Sequence, residues 1–127
     1  MSTSSHKYRY RLQRQNIKDN FIDSQILRLH AAMAKKLLAN PELVSLVKTN
    51  LEMRKAQGKI RYGAYITWLS ILEMYDQPDV FYLHMVEKSE QMRRYRRKTP
   101  FVGILTEEER VIALQQDMFE DAKDFDL

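Results

Sequence analysis

Residues that break helices are scarce in this chain, and their positions divide it into helical lengths. Three prolines (Pro41, Pro78 and Pro100) and three glycines (Gly58, Gly63 and Gly103) are all that its 127 residues contain. A β protein needs such residues at many tight turns, so their scarcity argues for helices joined by short connections. Between the breakers, apolar residues recur at helical spacing. Asp23 or Ser24 can cap a first helix, whose stripe is Ile22, Ile26, Leu29, Met33 and Leu37, widened by Leu27, Ala34 and Leu38. Asn40-Pro41 reads as an N-cap followed by a first-turn proline. Leu43, Val44, Val47, Leu51 and Met53 then give the second helix its buried face, and Gly58 ends it in a left-handed cap.

A third helix carries Tyr62, Tyr65, Ile66, Leu69 and Leu72, with Trp68 and Tyr75 flanking that stripe as core aromatics. Pro78 opens a fourth, predicted to run through Val80, Leu83, Met85, Val86, Met92 and Tyr95 and to be apolar nearly all round in its first half. Thr99-Pro100 ends it, because the residue before proline is pushed out of the α region. Phe101, Val102, Ile104 and Leu105 follow as an apolar loop that must find cover in this chain or a partner, and Phe101, Ile104 and Leu105 are expected to fold back onto the bundle. Thr106 and Glu109 then form a capping box at the start of a fifth helix, which uses Val111, Leu114 and Met118 with Ile112 and Phe119 beside them. The expected fold is all-α: a single compact bundle of about five helices over residues 21–119, with a flexible basic arm over 1–20 and an acidic tail over 120–127. A length of 127 residues supports one modest core.

Charge is unevenly spread. Residues 1–18 hold Lys7, Arg9, Arg11, Arg14 and Lys18 and no acid, with Tyr8, Tyr10 and Leu12 interleaved, a pattern that also admits a β-strand pairing with another chain. Residues 117–127 hold five acids against Lys123, a net charge of −4, so the rest of the chain carries +8 of the total +4. Such a basic excess favours a polyanion or an acidic protein partner, and the acidic tail can compete with either. No cysteine is present, which excludes disulfides and thiolate metal sites and suits the cytoplasm. No apolar run is long enough for a membrane span or a signal peptide.

Candidate catalytic groups do not converge. His6 lies in the arm, while His30 and His84 sit singly on separate helices with no second ligand at metal-binding spacing, and read as helix-face or core histidines. The acids Glu107, Glu108 and Glu109 fall in a first helical turn, where carboxylates complement the helix dipole. There is no phosphate-cradling glycine loop and no nucleophile with an evident base. The chain is therefore expected not to be an enzyme and to need no cofactor or metal.

The densest charge lies in Arg93-Arg94-Tyr95-Arg96-Arg97-Lys98, five cations in six residues. Three readings stand side by side: a solvated helix end favoured by the dipole, a nucleic-acid surface that neutralises phosphates, or arginines docked in an acidic cleft of a protein partner. On the third, Arg93, Arg94, Tyr95, Arg96, Arg97, Lys98 and Phe101 are the partner-binding residues.

Met92–Arg110, MRRYRRKTPFVGILTEEER, resembles the ending of small bacterial proteins that close with a Leu-Arg-Gln, Ser-Pro-Phe, Gly, Leu, Glu-Arg pattern. Pro100, Phe101, Gly103, Leu105, Glu109 and Arg110 are the matching positions. Those proteins also carry an alanine-rich helix and a proline-led helix start, which His30–Leu51, HAAMAKKLLANPELVSLVKTNL, resembles. The likeness covers about residues 26–115 and is to antitoxins of bacterial toxin–antitoxin operons, often beside a nucleotidyltransferase-type toxin. Here Lys98-Thr99 stands where the pattern has a polar residue and serine, and Tyr95-Arg96-Arg97 replaces its leucine-arginine-glutamine run. The resemblance implies an antitoxin that neutralises a co-encoded toxin by direct binding. Nucleic-acid binding, as a transcriptional regulator, is the alternative, and a homodimer is left open.

Overall fold

A computed structural model describes residues 2–115, with side chains from residue 17 onward. The acidic tail expected over 120–127, and Met118 and Phe119 of the last helix, lie outside the described residues, as do the side chains of Tyr8, Tyr10 and Leu12. The described chain is all-helical: α1 (Ser2–Ala39), α2 (Leu43–Ala56), α3 (Tyr62–Glu73), α4 (Pro78–Met85), α5 (Glu90–Arg97) and α6, which covers 107–115. α1 packs along α4 and α5, α2 along α3, and α3 along α4.

α1 runs past the expected start. Asp23 and Ser24 lie inside it, and the helix begins at Ser2 with no strand in the basic segment. No glycine or proline occurs between Ser2 and Ala39, and Asp23 spends its carboxylate on Arg97 across the bundle, not on a helix start. Leu29, Met33, Ala34 and Leu37 are buried on one face with His30. The helix ends where Asn40 donates from its side chain to the Lys36 carbonyl (2.9 Å) and the Tyr75 hydroxyl donates to that of Leu37. Asn40 therefore closes α1 rather than capping α2, and satisfies carbonyls that a helix end leaves unpaired.

α2 buries Val47 and Leu51, but Met53 is 53% exposed, because two residues past Leu51 it falls on nearly the opposite side of the helix. Its end matches expectation: Gly58 has φ +67°, with Gly58 N–H donating to Lys55 and Lys59 N–H to Arg54, the paired bonds of a Schellman motif. α3 turns a different face inward from the one its sequence suggests. Tyr65, Trp68, Ile71 and Leu72 are buried, while Tyr62 and Ile66 are exposed. The indole decides this. Trp68 is fully buried, and burying roughly 200 Å² of tryptophan is worth about 5 kcal/mol. That outweighs the penalty of about 1–3 kcal/mol for the Trp68 N–H, which has no hydrogen-bond partner among the described residues.

The predicted fourth helix is two helices. α4 buries Phe81 and Met85 but leaves Leu83 65% exposed, so it is covered on one side rather than all round. The chain turns after Met85, and Ser89 caps α5 by accepting from the Met92 N–H at 3.2 Å. Ser89 supplies a cap midway along a stripe that otherwise reads as continuous. In α6, Ala113 is buried and Leu114 half-buried, whereas Val111 and Ile112 stay largely exposed. The Thr106–Glu109 capping box is formed, with reciprocal bonds of 2.9 and 3.1 Å.

The loop before α6 folds back as the apolar run requires: Phe101 is fully buried, Ile104 is 2% exposed and Leu105 packs against the core. Phe101 meets Trp68 edge-on at 5.2 Å and His30 at 6.0 Å. Replacing Phe101 by alanine empties the centre of this cluster and is expected to destabilise the fold by about 3–5 kcal/mol, a fall in melting temperature of roughly 10 °C or more. A Phe101→Ala protein that melts at the wild-type temperature would take the loop out of the core.

Candidate partner-binding site

The segment between α5 and α6 is seated by its own backbone. The carbonyls of Lys98, Pro100, Val102 and Ile104 are each met by a side chain from α1 or α2. Arg54 donates to Lys98 O at 2.8 Å, Asn50 to Pro100 O (3.4 Å) and Val102 O (3.3 Å), and Lys36 to Ile104 O (2.7 Å). Gly103, at φ +81°, provides the turn that sends the chain toward Thr106.

His30 fastens the inner side of this segment. Its Nδ1 contacts the Ile26 carbonyl at 2.8 Å, so Nδ1 carries the proton and donates. Nε2 is then an acceptor for the Thr99 hydroxyl, also at 2.8 Å, and Thr99 Oγ1 accepts in turn from the Phe101 N–H at 3.1 Å. Burial pushes the imidazole down to about 4, aided by the nearby Arg96 cation. It is a satisfied core histidine. Glu109 fastens the outer side, where its Oε1 takes both the Lys36 ammonium (2.6 Å) and the Thr106 N–H. These two bonds, Lys36 first, hold the carboxylate down to about 2.

The cationic run does not form one surface. Arg96 is 2% exposed, its Nη1 directed at the Met85 carbonyl where α4 ends (3.4 Å). Arg97 pairs with Asp23 at 2.8 Å and also donates to the Asp19 carbonyl. Tyr95 is half-buried against α3, with its hydroxyl 3.3 Å from where a Cβ on Gly63 would stand. Arg93 is half-buried too, while Arg94, Arg97 and Lys98 are exposed, Arg97 in its pair with Asp23. Phe101, expected to touch a partner, is wholly inside the core, and Arg96 serves the fold, because a guanidinium under an unpaired helix carbonyl satisfies it. Of the matched motif, Pro100 and Phe101 are buried, Gly103 makes the turn and Glu109 the clamp, while Arg110 lies exposed beside Glu107 at 3.6 Å.

What the surface does present is a groove of about 670 Å³ between α2 and the 98–103 segment. Leu46, Met53 and Val102 give it apolar walls and are 42, 53 and 56% exposed, while Arg54, Lys59 and Lys98 supply cations. No carboxylate lines it. Only Lys98 and Gly103 of the expected site residues reach this groove. Leu46 is missed by periodicity because it lies off the Val47–Leu51 stripe, and Met53, expected on the buried face, is exposed instead. Their seven-residue spacing, with Arg54 beside Met53, is the signal that marks a second face on α2.

Protonating His30 forces a proton onto a nitrogen already facing a hydroxyl in the core. Its ionisation is depressed in the folded state, so its contribution is full above the unfolded value of 6.5 and is lost as pH falls toward about 4. The loss is on the order of 3 kcal/mol, and the melting temperature should drop across that window. His30→Gln should flatten the drop. Glu109 adds a second decline from 4.5 toward about 2, which Glu109→Gln should remove. A wild-type melting temperature constant from pH 7 to 4 would contradict the buried neutral imidazole.

No family model, curated protein or solved structure matches this chain.

Proposed function

We propose that this protein is the neutralising half of a bacterial toxin–antitoxin pair, and that it holds its toxin through the groove between α2 and the 98–103 segment. The resemblance of Met92–Arg110 to antitoxin endings supports the pairing. The observation that carries the binding mode is the groove itself: three exposed apolar side chains beside three cations, with no carboxylate. A phosphate backbone has no use for apolar walls, whereas an amphipathic acidic segment of a protein meets both. The dispersal of the cationic run agrees, since Arg96 is buried and Arg97 is engaged by Asp23.

Co-expression with the product of the neighbouring reading frame tests the proposal. The wild-type chain should restore growth when that product is toxic alone, and the two proteins should co-purify. Met53→Asp and Val102→Asp should lose rescue and weaken binding at least thirtyfold, about 2 kcal/mol, while melting near the wild-type temperature. Failure of the wild-type chain to rescue would end the antitoxin reading.

A second reading has its own observation. In the sequence Lys7, Arg11, Arg14 and Lys18 are spaced four, three and four residues apart, a spacing that shares one face in any helix. A helix with such a face can enter a groove of duplex nucleic acid. Four phosphate contacts would give log affinity a slope of about −3.6 against log salt. Duplex DNA binding with that slope, lost on substituting these four residues by alanine, would establish this role instead.

A further inference from the structure

The groove's composition has its inverse within the same chain. Residues 117–127, DMFEDAKDFDL, lie outside the described residues and combine a net charge of −4 with Met118, Phe119, Phe125 and Leu127. The groove offers Arg54, Lys59 and Lys98 without a carboxylate, and Leu46, Met53 and Val102 exposed. The segment's five acids and four apolar residues complement the groove's three cations and three apolar walls.

Connectivity permits the match. Gly103, at the groove's rim, lies four residues before α6, and 107–115 carry the chain only about 13 Å along that helix. The twelve residues 116–127 can extend to roughly 40 Å, so the first few can return the length of α6 while the later ones lie in the groove. A segment tethered this closely meets its site at an effective concentration in the millimolar range, so a contact too weak to form between separate molecules is populated within one.

We infer that residues 117–127 dock in the groove between α2 and the 98–103 segment, with their carboxylates against Arg54, Lys59 and Lys98 and their phenylalanines on Leu46, Met53 and Val102. The groove is then covered by the chain's own acidic segment until a ligand of the same chemistry displaces it. That consequence rests on the toxin-binding reading above. The docking itself is a property of this protein alone, so it can fail while the toxin reading stands, and the reverse.

The absence of native cysteine makes a direct test practicable. A nitroxide attached to the full-length Ala122→Cys protein should broaden the amide resonances of residues 46–57 and 98–103, and spare those of the N-terminal half of α1. The broadening should fade as salt screens the ion pairs and vanish in the Lys59→Glu/Lys98→Glu double variant. Should that variant fail to fold, the salt titration of the single-cysteine protein decides alone. Broadening elsewhere, or none, would overturn the inference. So would equal broadening in a mixture of spin-labelled and separately isotope-labelled chains, which would make the occupant a second copy.

Discussion

A loop can seal a helical core only if its backbone polar groups are met, because an apolar side chain cannot be buried while the amides beside it are stripped of water unpaired. The segment from Lys98 to Leu105 meets this condition with side chains that reach across from α1 and α2. Four alternate carbonyls are taken by Arg54, Asn50 and Lys36, and the Phe101 N–H by Thr99. Only then can Phe101 stand between Trp68 and His30. Each bond alone is worth about 0.5–1.5 kcal/mol, but without them the burial of the phenylalanine would carry a desolvation cost of comparable size.

The same requirement explains the arginines. Removing a guanidinium from water costs several kcal/mol unless it finds acceptors and opposite charge. Arg96 finds the Met85 carbonyl, left unpaired where α4 stops, and lies in the field of Asp23 and Glu87. Arg97 takes Asp23 itself. Two charges that look like a recognition surface in the sequence thus join α5 to the end of α4 and to α1. The exposed chemistry falls one layer out, where α2 and the loop leave a channel between them.

Local rules made much of this legible in the sequence. The Thr106–Glu109 box, the Gly58 cap, the proline at the start of α4 and the inward return of Phe101 all depend on residues within a few positions of one another. The departures share one cause: a partner far away in sequence. Asp23 makes a plausible cap until Arg97, 74 residues later, claims its carboxylate. Which face of α3 turns inward is set by where Trp68 meets His30 and Phe101, not by the Tyr62–Ile66 spacing. The break at Ser89 hides within a continuous stripe because Met85 and Met92 are both buried, seven residues apart, on two different helices. The groove was least legible, since it arises from what α2 and the loop leave uncovered together.

The tethered carbonyls of the 98–104 segment bear on the thermodynamics of any association at this surface. A loop that must be arranged by its ligand gives up part of the interaction free energy as lost backbone entropy, about 1–2 kcal/mol for each residue fixed. Here the rim that carries Val102 is already fixed, by bonds that no ligand supplies. Its side chain stands on a rigid lip, opposite a methionine whose unbranched thioether conforms readily to different shapes. One wall of the channel is therefore set before contact and the other adapts on contact, so the entropy of ordering falls on whatever enters.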